Sequence, residues 1–189
     1  TFRAQWSSAG LHLRFDATDQ DPWWTLAVRD AWLWREEVVE IFLDLDGSGR
    51  DYAEIEVSPG NVICDVRMVA PLPHKQIDYS WNLEGIESRV QILRDDAGQI
   101  SGWQARLFLP WDGFRSLPAA QRVALPPSAG ARFRFNVFRV ERPHGKAAPE
   151  RDVIEAAWSP TGGSGFHVPA AFRDFVLLDN TYCSGVLSA

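Results

Sequence analysis

The chain is poor in cysteine, in long apolar runs, in basic charge and in helical periodicity, and each shortage removes a class of protein. Its two cysteines, Cys64 and Cys183, are too few for a disulfide framework, and no CxxC spacing suggests zinc or thiol redox chemistry. A single disulfide between them stays open, although Cys64 alternates with Val62 and Val66 in VICDVRM, the phase of a small core residue. No apolar run approaches the roughly 20 residues of a bilayer-crossing helix, so a soluble chain without a membrane partner is expected. The opening TFRAQWSSAG lacks the basic-then-apolar order of a signal peptide. A leader could have been cleaved ahead of it, and a secreted or periplasmic location is the expectation.

The formal net charge is -6, which argues against a nucleic-acid partner because phosphate binding draws on clustered Lys and Arg. No GxSxG elbow, Walker loop or HExxH is present. What the chain does have is apolar and aromatic mass. At 189 residues and 46% hydrophobic it suits one domain, spanning 1–189, with a substantial core. Nine tryptophans and eleven phenylalanines exceed what such a core needs, which points to rings on a binding surface.

Strict alternation recurs along the sequence. LHLRF sets Leu11, Leu13 and Phe15 on one side, EVVEIFLDL does so with Val39, Ile41 and Leu43, and YAEIEV with Ala53, Ile55 and Val57. WQARLFLPW adds Trp103, Ala105, Leu107 and Leu109, and RFRFNV adds Phe133, Phe135 and Val137. DLDGSGRD and DDAGQISG carry the Asp and Gly of tight turns, so antiparallel hairpins follow. WDGFRSL, after Pro110, is the best candidate for a short helical turn, and APLPHKQ and LPPSAGA read as surface loops. The expected fold is an all-β antiparallel β-sandwich, immunoglobulin-like or jelly-roll-like.

The stretch WLWREEVVEIFLDLDGSGRDYAEIEVSPG departs from a plain amphipathic hairpin. If its strands pair, the odd-numbered apolar residues share the core side, and Glu40, Glu54 and Glu56 project together from the other. Clustered like charges need water, a cation or hydrogen-bond donors to offset them, and the hydroxyls of a sugar are one such solution. An ordinary wet sheet face is the competing reading.

In order, LWREEVVEIFLD, YAEIEVSP, WQARLFLPW, FRFNVFRVER and AAWSPTGGSGFHVPAAF resemble carbohydrate-binding module family 9 and its relatives, from about Trp6 to Leu178. The resemblance implies a β-sandwich holding the terminal unit of a sugar chain between two rings, without catalysis, alongside a larger carbohydrate-active enzyme or assembly. By motif, the rings fall on Trp34 and Phe166, the latter at a place where the family has tryptophan, and the sugar-binding glutamate falls on Glu40. A basic contact becomes Glu56, an amide contact near Asn136 is lost to Phe138, and an asparagine of the last loop is replaced within TGGSG. Arg139 is then the candidate for the missing cation, pairing with Glu40 or Glu56, with an internal salt bridge as its alternative. Family members bind structural calcium, and Asp44, Asp46 and Asp51 around DLDGSGRD are the candidate ligands here. The EF-hand itself is excluded, since its closing Glu is Ile55.

Three rivals remain open. Met68 and His167 could ligate a haem in a sandwich of this kind, although Met68 follows an apolar phase and no CxxCH exists. Glu54 and Glu56 lie about 6.6 Å apart along one strand, within the range of glycosidase carboxyl pairs. A scaffold that has lost its ligand and contacts other domains is the third. His12, His74 and His144 read as exposed. Trp6, Trp24, Trp103, Trp111 and Trp158 read as core, while Trp32 and Trp81 are not assigned.

Overall fold

The computed structural model describes residues 1–143, 152–163 and 165–179. His144 and Cys183 therefore lie outside the described residues. Where β-branched and aromatic residues alternate with polar ones, the chain is extended. The strands are β1 (Phe2–Trp6), β2 (Gly10–Thr18), β3 (Val38–Asp44), β4 (Tyr52–Val57), β5 (Ile63–Ala70), β6 (Gln76–Asp78), β7 (Glu87–Arg94), β8 (Ile100–Pro110), β9 (Arg132–Glu141), β10 (Ile154–Ala157) and β11 (Arg173–Val176). WDGFRSL supplies a 3-10 turn, Trp111–Ser116, as its Pro-preceded start predicts.

These strands form two antiparallel sheets packed as a sandwich. One has the order β1-β2-β8-β7 and the other β10-β9-β3-β4-β5-β6, with β11 also paired to β9. The inner row of each strand is the one that alternation selects. Leu11, Leu13, Phe15, Val39, Ile41, Leu43, Ile55, Val57, Trp103, Leu107, Leu109, Phe133 and Phe135 are all buried in a common cluster. Burying each Val, Leu, Ile or Phe contributes about 1.5–3 kcal/mol, so this layer dominates the stability of the fold. Gly102 permits the closest approach within it: a Cβ there would lie 2.1 Å from the carbonyl oxygen of Ala17.

The outer face of the larger sheet is not a wet face, which corrects the simplest reading of its alternation. Every residue of β3 and β4 is buried. Phe42, Tyr52, Met68, Phe138 and Phe172 form a second apolar cluster there, and Leu33, Val38, Cys64, Val66 and Val140 a third. Two segments provide the cover. Residues 19–37 cross the face as a long connection between β2 and β3. It is pinned by Arg29, whose guanidinium reaches Asp65 at 2.5 Å and Asn82 at 3.0 Å. Residues 165–172, before β11, form the other cover, with Phe166 stacked on Phe138 at 4.2 Å between ring centroids.

Trp24 departs from its expected place in the core. It is 42% exposed and lies against Gly60, where a Cβ would stand 2.3 Å from its ring. Trp81 is buried, and its indole N–H donates to Ser116 Oγ at 2.8 Å.

Candidate functional site

The register of the larger sheet builds the site. Glu40 on β3 stands opposite Glu56 on β4, with Phe138 on the far side of Glu40 and Cys64 beyond Glu56. One row further along, Glu54 lies between Phe42 and Val66. The pleat thus places three carboxylates side by side within a frame of apolar residues. They are 2%, 7% and 2% exposed for Glu40, Glu54 and Glu56, and one carboxyl oxygen from each lies within 4.8 Å of the others.

Above them opens a cleft of ≈ 240 Å³, whose lining includes all three glutamates together with Trp32, Trp34, Tyr79, Phe166 and His167. The aromatic rim comes from the two covering segments and from Tyr79, just beyond β6. Trp34 sits in the 3-10 turn Leu33–Arg35 and is 46% exposed, and Trp32 beside it is 49% exposed. Their rings stack at 6.5 Å and 23°, and the Arg35 guanidinium lies 4.3 Å from the Trp32 ring and 5.2 Å from the Trp34 ring. Such cation–π contacts hold exposed indoles in place without covering them fully. The buried carboxylate of Glu36 accepts hydrogen bonds from the backbone N–H groups of Thr25 (2.7 Å) and Leu26 (3.0 Å), fastening the connection that carries both tryptophans.

Desolvation governs the electrostatics. Burial pushes Glu54 up to about 7, against an ordinary 4.5, partly opposed by the charge of Lys75. Burial and then the neighbouring Glu54 raise Glu40 well above the usual carboxylate range, and burial followed by Glu40 and Glu54 does the same to Glu56. Glu56 hydrogen-bonds to Glu54 and also accepts from the backbone of Trp34. Burial drives His167 down to about 3, with the Lys75 charge adding to it, so the ring is neutral at physiological pH. Its Nδ1 is 3.1 Å from Tyr52 Oη, its ring stacks on Phe42 at 5.0 Å, and its Nε2 is 3.9 Å from Glu54 Oε2.

The structure brings Trp34, Phe166, Glu40, Glu54 and Glu56 to one cleft and sends the other candidates elsewhere. Arg139 keeps the inward phase of β9 rather than breaking it, so its side chain leaves on the inter-sheet side, away from the cleft. It donates to the Thr18 carbonyl (2.8 Å), to Asp19 Oδ2 (3.1 Å) and to the Glu141 carboxylate. The internal salt bridge is therefore its role, and the expected pairing with Glu40 or Glu56 does not occur. Next to it Glu37 is raised to about 9, chiefly by burial and then by Asp19.

Asp44 and Asp46 hydrogen-bond to each other, and Asp51 turns away from both. Asp44 accepts from the N–H groups of Gly47 (3.0 Å) and Gly49 (2.8 Å) and closes the β3–β4 turn. Asp46 pairs with Arg122, and Asp51 turns to Arg67 at 2.6 Å. The two haem-ligand candidates do not share an open space. Met68 is fully enclosed in the aromatic cluster and does not line the cleft that His167 faces. Glu54 and Glu56 hydrogen-bond to each other and present oxygens within 4.8 Å, closer than the roughly 5–5.5 Å that separates the two carboxyl groups of a retaining glycosidase.

Sequence reasoning missed Trp32, Tyr79 and the position of His167 at the cleft floor. The exposed WLW triplet was the available signal for Trp32. Nothing local marks Tyr79, which reaches the cleft only through the pairing of β5 with β6.

No family model matches the chain, and no curated protein matches it. Among solved structures, the crystal structure of a protein from Bacteroides uniformis, described as a candidate carbohydrate-binding protein, superposes with a TM-score of 0.70. The match covers 93% of this chain and 77% of the other at 15% sequence identity, which establishes a shared fold.

Proposed function

We propose that the cleft binds carbohydrate without transforming it. The observation that carries this reading is a half-exposed indole, Trp34, beside three buried carboxylic groups in a single cleft of ≈ 240 Å³. An indole offers an apolar face to the C–H side of a pyranose, and buried oxygens accept from or donate to its hydroxyls. A few rings with a few placed polar groups is the usual composition of a small-molecule site. The ligand class ascribed to the Bacteroides uniformis protein supports the same reading. Trp34 is the first stacking wall, Phe166 on its Phe138 support is the second, and Glu40 is the main polar contact. Glu54 and Glu56 contribute beside it.

Affinity is expected to be micromolar to millimolar, about 8 to 4 kcal/mol, because sugar hydroxyls must give up water before they bind. Calorimetric titration with mono- and disaccharides whose reducing ends are free or blocked tests both the ligand class and the preference for a chain end. Trp34→Ala is expected to abolish most of the heat of binding while the protein stays folded. A folded parent that binds none of a broad glycan panel overturns the proposal, as does a Trp34→Ala protein that binds like the parent.

A further inference from the structure

Three buried glutamates in mutual contact need more explanation than sugar hydroxyls supply. A ligand that arrives only part of the time leaves the acids to offset one another for the rest. Elsewhere in this molecule an acidic trio has a cation at its centre: Asp19, Glu37 and Glu141 cluster at Arg139, which pairs with Asp19 and Glu141 and leaves Glu37 outside the ion pairs. In the cleft no Lys or Arg forms an ion pair with Glu40, Glu54 or Glu56 among the described residues. Lys75 lines the cleft but is exposed.

The unused bonding capacity in the cleft can be assigned atom by atom. Glu40 Oε1, Glu54 Oε2 and Glu56 Oε2 are all buried and meet no hydrogen-bond partner among the described protein groups. All three glutamates border the cleft. Their mutual spacing, within 4.8 Å, is what oxygens bound to one ion at about 2.0–2.6 Å produce. His167 stands at the edge of this set, beside Glu54 and outside the group of oxygens that lie within 4.8 Å of one another. Its Nε2 is 3.9 Å from Glu54 Oε2, while its Nδ1 rests 3.1 Å from Tyr52 Oη. If Nδ1–H donates to that hydroxyl, the Nε2 lone pair points toward the acids, the outer hydrogen bond that orients metal-bound imidazoles.

We infer that Glu40, Glu54 and Glu56 form a binding site for one divalent metal ion at the floor of the cleft, which His167 Nε2 joins from the Glu54 side by a small shift of its ring. Mixed carboxylate and imidazole donors suit a first-row ion such as manganese or zinc better than magnesium. Three carboxylates and a neutral imidazole leave the bound ion a net charge of about -1, and its open side faces the cleft. Resting on the carbohydrate reading, the site would let vicinal hydroxyls of the sugar complete the coordination shell, with Trp34 stacking on the ring.

The test is calorimetric titration of the chelator-stripped full chain with manganese chloride, repeated with zinc chloride, in the absence of sugar. One equivalent per chain is expected, weakened at least roughly tenfold by Glu56→Gln and by His167→Asn. Glu141→Gln, at the Arg139 cluster, should leave the stoichiometry unchanged. Circular dichroism establishes that each variant is folded, and His167→Asn decides the matter should Glu56→Gln not fold. Absence of binding in the parent at millimolar metal overturns the inference, as does equal binding in parent and folded variants. Sugar titration in chelator keeps the two ideas apart. Sugar binding without any metal binding removes the metal site and leaves the carbohydrate reading standing. Metal binding without sugar binding under either condition does the reverse.

Discussion

The two faces of the β3–β4 hairpin are equally buried and chemically opposite. On the inner face, Val39, Ile41, Leu43, Ala53, Ile55 and Val57 meet the other sheet in an unbroken apolar layer. On the outer face, Phe42 and Tyr52 share the surface with Glu40, Glu54 and Glu56, and the cover comes from loops rather than from a sheet. Burial alone therefore does not distinguish structure from function here. The distinction lies in whether the buried groups have partners: the inner face is satisfied by dispersion and exclusion of water, while the outer face retains carboxyl oxygens with bonding capacity to spare.

The largest expected effects fall on both faces alike, because both have a packed layer. Phe42→Ala, at a fully buried ring with four aromatic neighbours, is expected to destabilise by about 3–5 kcal/mol, and Ile41→Ala by about 2–5 kcal/mol, measured by denaturant unfolding. A small loss at Phe42 would mean that the outer face is loosely covered and the comparison fails. The pH dependence separates the faces next. Between pH about 4.5 and about 7 the unfolded chain releases the Glu54 proton while the folded chain keeps it. The folded state binds more protons in that window, so stability contributed by this group is present below it and is lost as pH rises through it. Glu37, raised to about 9, and the elevated Glu40 and Glu56 extend the decline further. Unfolding midpoints measured across this range should fall less steeply in Glu54→Gln than in the parent, and Ile41→Ala should leave the slope as it was.

Smaller effects sharpen the contrast. Glu40→Gln keeps the shape of a buried acid and removes its ability to ionise, so stability at neutral pH should stay within about 1 kcal/mol of the parent or rise, while sugar binding weakens. A loss comparable to that of Ile41→Ala would show that Glu40 is structural. Trp34→Ala should shift stability least, by under about 0.5 kcal/mol, since the ring is half exposed, yet remove most of the binding. Thermal melts alongside titration separate these two outcomes.

Much of this arrangement is legible in the sequence, and the legible part is local. The inner rows of β2, β3, β4, β8 and β9 follow the period-two pattern residue for residue. β1, β6, β10 and β11 are short and offer little alternation to read, and β11 pairs back to β9 past β10, a partner that no local pattern names. Arg139 illustrates the limit. Its position in an inward row is readable from Phe133, Phe135 and Val137, but besides the nearby Glu141 its acceptors are Thr18 and Asp19, about 120 positions away. The acids of DLDGSGRD likewise look like one ligand set in the sequence, yet only Asp44 and Asp46 stay in contact, with Arg122 on Asp46, while Asp51 turns to Arg67.

The sequence alone determined which residues share a face, because side-chain direction along a strand alternates whatever else the chain does. That alternation was enough to gather Glu40, Glu54 and Glu56 together. Only the tertiary structure decided that their face is enclosed, that Trp32 and Trp34 stand at its opening and that His167 lies beside the acids. Those outcomes depend on two connections, 19–37 and 165–172, whose course is set by long-range packing and by ion pairs such as Arg29 with Asp65, and no local periodicity encodes such contacts.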